Sequence, residues 1–444
     1  MSARVSALLA GLLVPGAALA QEKKAPTCLE LLRSDAAKAT IPLDKVAHER
    51  ERLWEKYRRE QMADKGRLKE HEEKKIARGK LAMRYAYSKI GKKPKDGYPL
   101  YIALHGGGGA PVRVNDSQWN HMKVYYKAGV KQGIYLAARG MTNSWNLHWV
   151  GDSFPCYDRL IENMILFEDV DPNRVYVLGF SAGGDGTYQI APRMADRWAA
   201  ANMSAGHPNG VSPRNLANVP FLLQMGEKDR SYGRNTAAAG YYVQLAKLGK
   251  EHPGCYLHEA NIHFDKPHNF RDNHPKMAPQ KVLADPAKWL ANGSRETVSR
   301  NTHAIAWLDR HVRNPAPRRL IWDLRTRATS RGKSALLHYW LDLSSKDASL
   351  MKTQDVIARL DKATNSVIVE KCGDYLKVLL RHGMLDLARP VRVKVGGRTF
   401  QVSPKATRGN LLQTMIDRGD PNYMFEASIS IQKKEDAFTV TVSD

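Results

Sequence analysis

A glycine-rich turn around Ser181 constrains the fold of this chain more than any other feature. The turn, Gly179-Phe-Ser-Ala-Gly183, directly follows the β-branched apolar run Val175–Leu178, and a helix-compatible stretch, Asp185–Arg197, comes after it. A strand that passes into a helix through so tight a turn forces a strained backbone on the central residue and admits only small neighbours. The pattern therefore predicts a Ser181 hydroxyl exposed at the top of a sheet. The alternative is a glycine-rich turn that carries an ordinary surface serine.

A second glycine-rich segment lies upstream of the serine. The apolar strand pattern Tyr98–Leu104 leads into a histidine and four glycines at 105–109. Glycines let a backbone approach closely and turn its amides inward, and acyl transfer needs such donors around its tetrahedral oxyanion. We expect donors from Gly107 and Gly108 and from the residue after the serine, Ala182. A four-glycine run alone would indicate only a flexible loop.

An acidic residue for the same chemistry is expected downstream. The apolar strand pattern Val219–Met225 is followed by Gly-Glu-Lys-Asp, which ends at Asp229. A carboxylate there could fix the tautomer of a catalytic histidine and stabilise the imidazolium that forms. Asp229 is preferred, Glu227 is the alternative, and both could simply be solvated turn residues.

Several histidines follow the next strand pattern, Cys255–Ile262. His268 is preferred as the base because it lies far enough past that strand to return over Ser181. His263 could still belong to the strand end. The remaining candidates are His274 and, within a predicted helix over 302–312, His303.

Together these segments resemble the α/β-hydrolase superfamily, most closely its secreted polyhydroxybutyrate-depolymerase-like and feruloyl-esterase-like branch. The resemblance covers about 98–317, and it rests on His-Gly-Gly-Gly at 105–108, Asp171-Pro172, Gly-Phe-Ser-Ala-Gly-Gly at 179–184, the Gly…Asp turn at 226–229 and the late histidine. It implies a mostly parallel sheet covered by helices. It also implies a serine hydrolase that needs no cofactor.

The first twenty residues have the features of a cleavable signal peptide. Arg4 precedes a short apolar segment, Val5–Val14, and Ala18-Leu-Ala20 provides a small-residue cleavage site. The apolar segment is too short for a permanent span, and no other run is long enough. We therefore expect a secreted or periplasmic protein without a transmembrane segment. The four cysteines allow three pairings, free thiols are the alternative, and none is spaced as a metal site.

Three regions are expected in the exported chain. Residues 21–97 form a charged extension, helical over 44–90 because acidic and basic residues recur at i,i+3 and i,i+4 spacings. Residues 98–317 form the catalytic domain. Residues 318–444 contain short alternating runs and a Gly-Gly hairpin, which predict a small all-β, sandwich-like accessory domain.

Composition limits the partners. The chain of 444 residues is 43% hydrophobic and carries a formal net charge of +24. The apolar content excludes global disorder, and the positive field favours acidic partners such as anionic polysaccharide, lipid headgroups or nucleic acid. No nucleic-acid-binding motif is present, so specific nucleic-acid binding is not expected. A solvated basic surface is the simplest explanation.

These observations predict a serine esterase that acts through an acyl-enzyme on polymer- or polysaccharide-derived esters. Trp145 and Trp149 precede the helix before the serine turn. They could stack on a sugar, phenolic or polyester group, or serve only as lid or core packing. The alternatives are a prolyl oligopeptidase-type serine peptidase with the same three residues and a non-catalytic polyanion-binding protein on a hydrolase scaffold.

Overall fold

The computed structural model describes residues 25–263, 266–270, 276–277, 303–344, 354–435 and 437–442. The predicted signal peptide, His274 and the side chain of His303 lie outside the described part of the chain. None of the helices in the described ranges has the length and apolar character that a membrane crossing needs.

One large sheet forms the centre of the molecule. Within the described residues it contains nine strands in the order β1-β2-β4-β3-β5-β6-β7-β8-β9. Strands β3 to β8 are parallel, and antiparallel strands lie at both edges. The bounds are β1 (Lys75–Arg78), β2 (Leu81–Ile90), β3 (Tyr98–Leu104), β4 (Gly133–Ala138), β5 (Val170–Phe180), β6 (Ala200–Ser204), β7 (Phe221–Gly226), β8 (His258–His263) and β9 (Lys276–Met277).

Helices cover both faces of this sheet because its central strands are apolar on both sides. In β3, Leu100, Ile102 and Leu104 belong to one buried cluster, whereas Tyr101 and Ala103 belong to another on the opposite face. The first cluster contains residues of α5 (Ser153–Glu168), α6 (Ala182–Arg193) and α7 (Arg234–Glu251). The second contains residues of α4 (Val112–Tyr125) and α8 (His303–Leu308). The α/β architecture expected from the sequence is confirmed.

The helical extension is confirmed in its first part and wrong in its second. Three helices are present, α1 (Cys28–Arg33), α2 (Val46–Met62) and α3 (Lys65–Glu72). Residues 75–90, predicted to be helical, instead form β1 and β2, and β2 pairs with β4 of the central sheet. In β2 the buried side chains of Met83 and Tyr85 flank exposed Arg84, which is the two-residue period of a strand. The strands before residue 98 thus join the same sheet as those after it.

The β-rich character of the C-terminal region is also confirmed. One five-stranded sheet has the order β10-β13-β14-β16-β17 and another β11-β12-β15-β18-β19. Their bounds are β10 (Arg319–Asp323), β11 (Leu337–His338), β12 (Leu341–Asp342), β13 (Asp355–Asp361), β14 (Ser366–Lys371), β15 (Tyr375–Leu380), β16 (Val391–Val395), β17 (Arg398–Val402), β18 (Ala427–Lys434) and β19 (Ala437–Val442). The predicted hairpin turns at Gly396 and Gly397, whose φ angles of 54° and 73° favour glycine. One helix, α9 (Arg408–Arg418), was not expected.

The C-terminal region packs directly on the central sheet. A single buried cluster contains residues of both regions, from Ile76 to Ile431. Tyr339 donates a hydrogen bond to the Ala195 carbonyl at 2.8 Å, which ties the two regions at a buried point. All four cysteines are free thiols, and two of them, Cys28 and Cys156, are buried.

Candidate active site

The predicted sharp turn is present at Ser181, between β5 and α6. The serine has φ 58° and ψ −122°, a backbone conformation that non-glycine residues adopt only under strain. A Cβ at Gly179 would lie 2.2 Å from the Gly183 carbonyl oxygen, and one at Gly183 would lie 2.0 Å from that of Leu104. Only glycine fits at either position, so the local sequence itself imposes the turn that presents the serine.

Ser181, His268 and Asp229 lie in one hydrogen-bonded line. The Nε2 atom of His268 is 2.9 Å from the Ser181 Oγ, and its Nδ1 is 2.7 Å from the Asp229 Oδ2. Because an ionised carboxylate only accepts, Nδ1 carries the proton and Nε2 is left to accept from the serine hydroxyl. A nucleophile bonded to a base that a third group orients is the arrangement of an activated serine.

Two of the other candidates, His263 and Glu227, do not join this line. His263 is buried at the end of β8, where its Nε2 contacts the Gln224 Oε1 at 3.0 Å and its ring stacks on Phe270 at 3.9 Å. Glu227 is only partly buried, whereas Asp229 is 1% exposed. The structure therefore brings His268 and Asp229 to the serine.

Gly226 allows the histidine loop to reach this position. A Cβ at Gly226 would lie 2.2 Å from the Pro267 carbonyl oxygen, so the loop crosses directly over the end of β7. The Lys228 amide donates to the Lys266 carbonyl at 2.8 Å and ties the loop to the turn that carries Asp229. The His268 ring then packs against Phe180, with ring centroids 5.6 Å apart.

The glycine loop after β3 places one of its expected donors out of reach. The Gly108 amide donates to the Oδ1 of buried Asn115 at 2.8 Å, and the Asn115 Nδ2 donates to the Ala110 carbonyl at 2.9 Å. In the described part of the chain, neither the Gly107 nor the Ala182 amide has a hydrogen-bond partner. Gly107 and Ala182 are therefore available to an oxyanion, whereas the Gly108 amide is already engaged. No sequence pattern identifies Asn115 as a functional residue, and its position is only that of a residue in the first turn of α4.

Two neutral histidines form hydrogen bonds to the backbone at the start of the glycine loop. The Gly140 amide donates to the His105 Nε2 at 3.1 Å, so His105 Nδ1 holds the proton that is donated to the Gly106 carbonyl at 2.6 Å. His148 donates from Nε2 to the His105 carbonyl at 2.8 Å. Burial lowers the pKa of His105 to about 4 and that of His148 well below its usual value. Both rings thus serve as uncharged hydrogen-bonding supports.

The two predicted substrate-contact tryptophans differ in their surroundings. Trp145 is 54% exposed, and its backbone lies beside Gly108, where an added Cβ would be 3.1 Å from the Trp145 carbonyl oxygen. Trp149 is partly buried against the main core and meets Trp145 edge-on at 4.9 Å. Substrate contact stays a prediction for both, and only Trp145 offers a broad exposed face.

A charged group that the sequence analysis did not identify lies behind Asp229. The second carboxylate oxygen, Oδ1, is buried and makes no hydrogen bond to any described residue. The guanidinium of Arg234, at the start of α7, approaches it to 3.6 Å. Nearby, burial raises the pKa of Asp185, which accepts from the His207 amide at 2.7 Å. No group of three or more His, Cys, Asp and Glu side chains in the described ranges could hold a metal ion.

The strand order and the turn at Ser181 define an α/β-hydrolase fold, and the Ser-His-Asp line is an arrangement that serine hydrolases use. No family model and no curated protein matches the chain. Three solved structures are similar to this chain. A thermostable esterase is 18% identical, with a TM-score of 0.38 over 54% of this chain and 62% of that one. A poly(3-hydroxybutyrate) depolymerase from Bordetella parapertussis is 14% identical, with a TM-score of 0.34 over 51% of this chain and 88% of that one. An acylaminoacyl peptidase is 16% identical, with a TM-score of 0.36 over 54% of this chain and 41% of that one.

This chain therefore spans less than two thirds of the esterase and of the peptidase. Because the TM-scores are all below 0.5, the assignment of the fold depends on the strand order and not on these similarities.

Proposed function

We propose that the protein is a serine esterase that works through an acyl-enzyme. Ser181 is the nucleophile, His268 the general base and acid, and Asp229 the residue that orients the imidazole. The observation that supports this function is the hydrogen-bonded line from the serine Oγ through both ring nitrogens to a buried carboxylate, with distances of 2.9 and 2.7 Å. Both distances lie within the hydrogen-bond range that general-base catalysis needs.

The reaction follows from the positions of these groups. The Ser181 Oγ attacks the ester carbonyl and its proton passes to the His268 Nε2, while the carbonyl oxygen becomes an oxyanion between the Gly107 and Ala182 amides. As the intermediate collapses, the imidazolium returns the proton to the departing alcohol and leaves an acyl-serine. Water then attacks that acyl group with His268 again as base, which releases the carboxylic acid and restores the serine.

An ester of an extracellular polymer is the proposed substrate. The exposed face of Trp145 beside the glycine loop can stack on a sugar or phenolic ring. The predicted signal peptide places such an enzyme outside the cytoplasm, where acetylated or feruloylated polysaccharides and polyhydroxyalkanoates occur.

A peptidase of the prolyl oligopeptidase type is the second candidate, because it would use the same three residues. Such peptidases usually carry a long propeller before the catalytic domain. Residues 25–97 instead form helices and two strands of the central sheet. A matched panel of p-nitrophenyl esters and p-nitroanilides of the same acyl groups separates the two candidates, and faster cleavage of the amides would favour the peptidase.

Substitution of the nucleophile or the base tests the proposal directly. We expect Ser181→Ala and His268→Ala to lower turnover of p-nitrophenyl acetate by several orders of magnitude, with unchanged circular dichroism. Ser34→Ala, at an exposed position in the N-terminal region, should retain full activity. A fluorophosphonate should label the natural chain but not Ser181→Ala. Failure to label the natural chain would favour the non-catalytic, polyanion-binding alternative.

A further inference from the structure

A basic cleft lies in the C-terminal region, apart from the candidate active site. It has a volume of about 560 Å³ and is bounded by the loop 314–318, the turn 361–363 between β13 and β14, and the loop 381–384. Its charged and titratable lining residues are Arg318, Asp361, Lys362, Arg381 and His382. Three permanent cations thus face one carboxylate.

None of these cations forms an ion pair with a described residue, although the pKa of the Asp361 carboxyl is lowered by the Thr364 hydroxyl and, in addition, by nearby Arg318. Within the described ranges, the side chains of Arg318, Lys362 and His382 make no ion pair or hydrogen bond, and Arg381 donates only to the Asn422 carbonyl, at 2.8 Å. Burial and the neighbouring Arg50 lower the pKa of Arg381, and Glu426, Tyr423 and Asp420 offset only part of this effect.

The nearby carboxylates already have partners. Asp361 accepts from the Ala363 amide at 3.1 Å and from the Thr364 hydroxyl at 2.8 Å, both within its own turn. Buried Glu426 pairs with Arg50 at 2.8 Å and also accepts from the His382 amide. The cleft therefore presents donors and positive charge to whatever enters it.

The cleft lies near the beginning of β5, whereas Ser181 follows the end of that strand. Arg313, the residue before the cleft loop, donates to the Asn173 Oδ1 at 2.8 Å, near the beginning of β5. A strand advances about 3.3 Å per residue, so Val175, two residues after Asn173, is roughly 20 Å from Ser181, which follows the end of β5. A ligand in the cleft would thus leave the serine free to react.

From this cleft we infer that the protein has a second binding site, for an acidic polysaccharide. A volume within the range of roughly 300–1,000 Å³ suits a few sugar rings, and guanidinium groups match carboxylates in a bidentate fashion. Apart from the His382 imidazole, the lining has no aromatic ring on which a nucleobase could stack. Its two large apolar residues, Leu360 and Met384, are buried and offer no anchor to a lipid surface. Bound there, a uronate chain would hold the enzyme on a polymer without occupying Ser181.

Binding to labelled polygalacturonate at low salt tests this site. We expect Arg318→Gln/Lys362→Gln, which changes two exposed residues, to lower the affinity about fivefold, in line with the modest strength of exposed charge pairs. The matched control is Lys80→Gln/Lys95→Gln, which removes the same charge from two other exposed positions and should change the affinity less than twofold. Neither variant should alter the hydrolysis of p-nitrophenyl acetate.

Two outcomes would overturn the site. Equal losses in both variants would mean that the overall net charge attracts the polymer. A larger selective loss of binding to a single-stranded oligonucleotide or to anionic vesicles would assign the cleft to those ligands instead. The binding measurement needs no turnover, so it can be repeated on Ser181→Ala and does not depend on the proposed esterase activity.

Discussion

At the scale of single residues, the candidate site depends on side chains that do not react. Asn115 is fully buried and uses both ends of its amide to hold the glycine loop, through the Gly108 amide and the Ala110 carbonyl. A Cβ at Gly107 would lie only 2.4 Å from the Asn115 Oδ1, so the loop is pressed against this side chain. Asn115 thus fixes the direction of the Gly107 amide, which we propose as an oxyanion donor.

Truncation of this side chain should affect the rate more than substrate binding. In Asn115→Ala the loop loses two hydrogen bonds, and each buried group left without a partner costs about 1–3 kcal/mol. We expect kcat for p-nitrophenyl acetate to fall about tenfold or more while KM changes little, because the oxyanion donors act mainly in the transition state. Asn120→Ala, at an exposed position of the same helix α4, is the control. Equal kinetics for the two variants would contradict the role of Asn115.

Arg234 is the second such residue. Its guanidinium is 3.6 Å from the otherwise unbonded Oδ1 of Asp229, and its side chain is 14% exposed. A cation at this position attracts the buried carboxylate and helps to hold it against the His268 ring, which Asp229 orients.

Removal of the Arg234 charge should lower the rate of the reaction. In Arg234→Met the buried Asp229 carboxylate loses its nearby cation and holds the His268 ring less firmly, so kcat/KM for p-nitrophenyl acetate should fall about tenfold, which corresponds to about 1.4 kcal/mol of transition-state stabilisation. Arg234→Lys keeps the charge and should retain most of the activity. Initial rates at pH 7 measure both. Equal kinetics for the two variants would show that the charge of the arginine has no role.

At this scale, the sequence predicts the residues whose role depends on their neighbours along the chain. Ser181 and the glycines around it could be predicted because adjacent residues impose the turn. Asp229 and His268 could be preferred because of their positions after strand patterns. The sequence could not exclude Glu227 or the other histidines. Asn115 and Arg234 could not be found, since each acts on a group that only the folded chain brings near.

At the scale of elements, the N-terminal helices are an integral part of the fold. Leu53 of α2 and Leu411 of α9 are fully buried in one cluster, together with Cys28 of α1. Ion pairs reinforce this contact, from Arg50 to Glu426 at 2.8 Å and from Arg408 to Glu49 at 2.6 Å. The first and the last helices of the described chain therefore stabilise each other.

A single buried leucine tests this contact. Leu53→Ala should lower the free energy of unfolding by about 2–5 kcal/mol, because it removes buried methyl groups and leaves a cavity between α2 and α9. Leu68→Ala, in α3 at a position 40% exposed, is the control and should cost far less. Urea unfolding followed by tryptophan fluorescence gives both values. Similar small losses in the two variants would mean that α2 is only loosely attached.

Elements were predictable from the sequence where their pattern was local. The central strands of the large sheet have apolar runs, and the predicted bounds Tyr98–Leu104 agree with β3 to the residue. The helix prediction for residues 75–90 is wrong because it relied on the spacing of their charges. Their structure instead depends on the pairing of β2 with β4 and of β1 with β2. In the same way β10 and β13 depend on their pairing with each other, and α9 was not expected from the sequence.

At the scale of the whole molecule, a buried network of charges joins the C-terminal region to the hydrolase sheet. Asp158 pairs with Arg197 at 2.8 Å and with Arg331 at 2.7 Å, and Asp196 pairs with Arg418. All three arginine side chains are at most 2% exposed. Because a buried charge that loses its partner is costly, neither region can be removed without leaving such charges behind. The C-terminal region therefore serves as structural support, whatever it binds.

This network should make the stability of the whole chain sensitive to acid. Burial opposes ionisation of Asp158 and Asp196, yet the arginines hold the pKa of both carboxyls below the usual value. A carboxyl whose pKa is lowered by folding contributes stability above its unfolded pKa, near 4, and loses it as the pH falls toward the folded value. We therefore expect the free energy of unfolding to decrease below about pH 4.

Neutralisation of one carboxylate should reduce both the stability and its dependence on pH. Asp196→Asn leaves Arg418 without its carboxylate partner, so it should lose about 3–5 kcal/mol at pH 7. Its unfolding free energy should then decline less between pH 5 and 3 than that of the natural chain, because one of the linked protons is no longer taken up. Asp44→Asn, at an exposed position, should follow the natural curve. Parallel pH curves for Asp196→Asn and the natural chain would mean that the network does not link the two regions through charge, and that hydrophobic packing alone joins them.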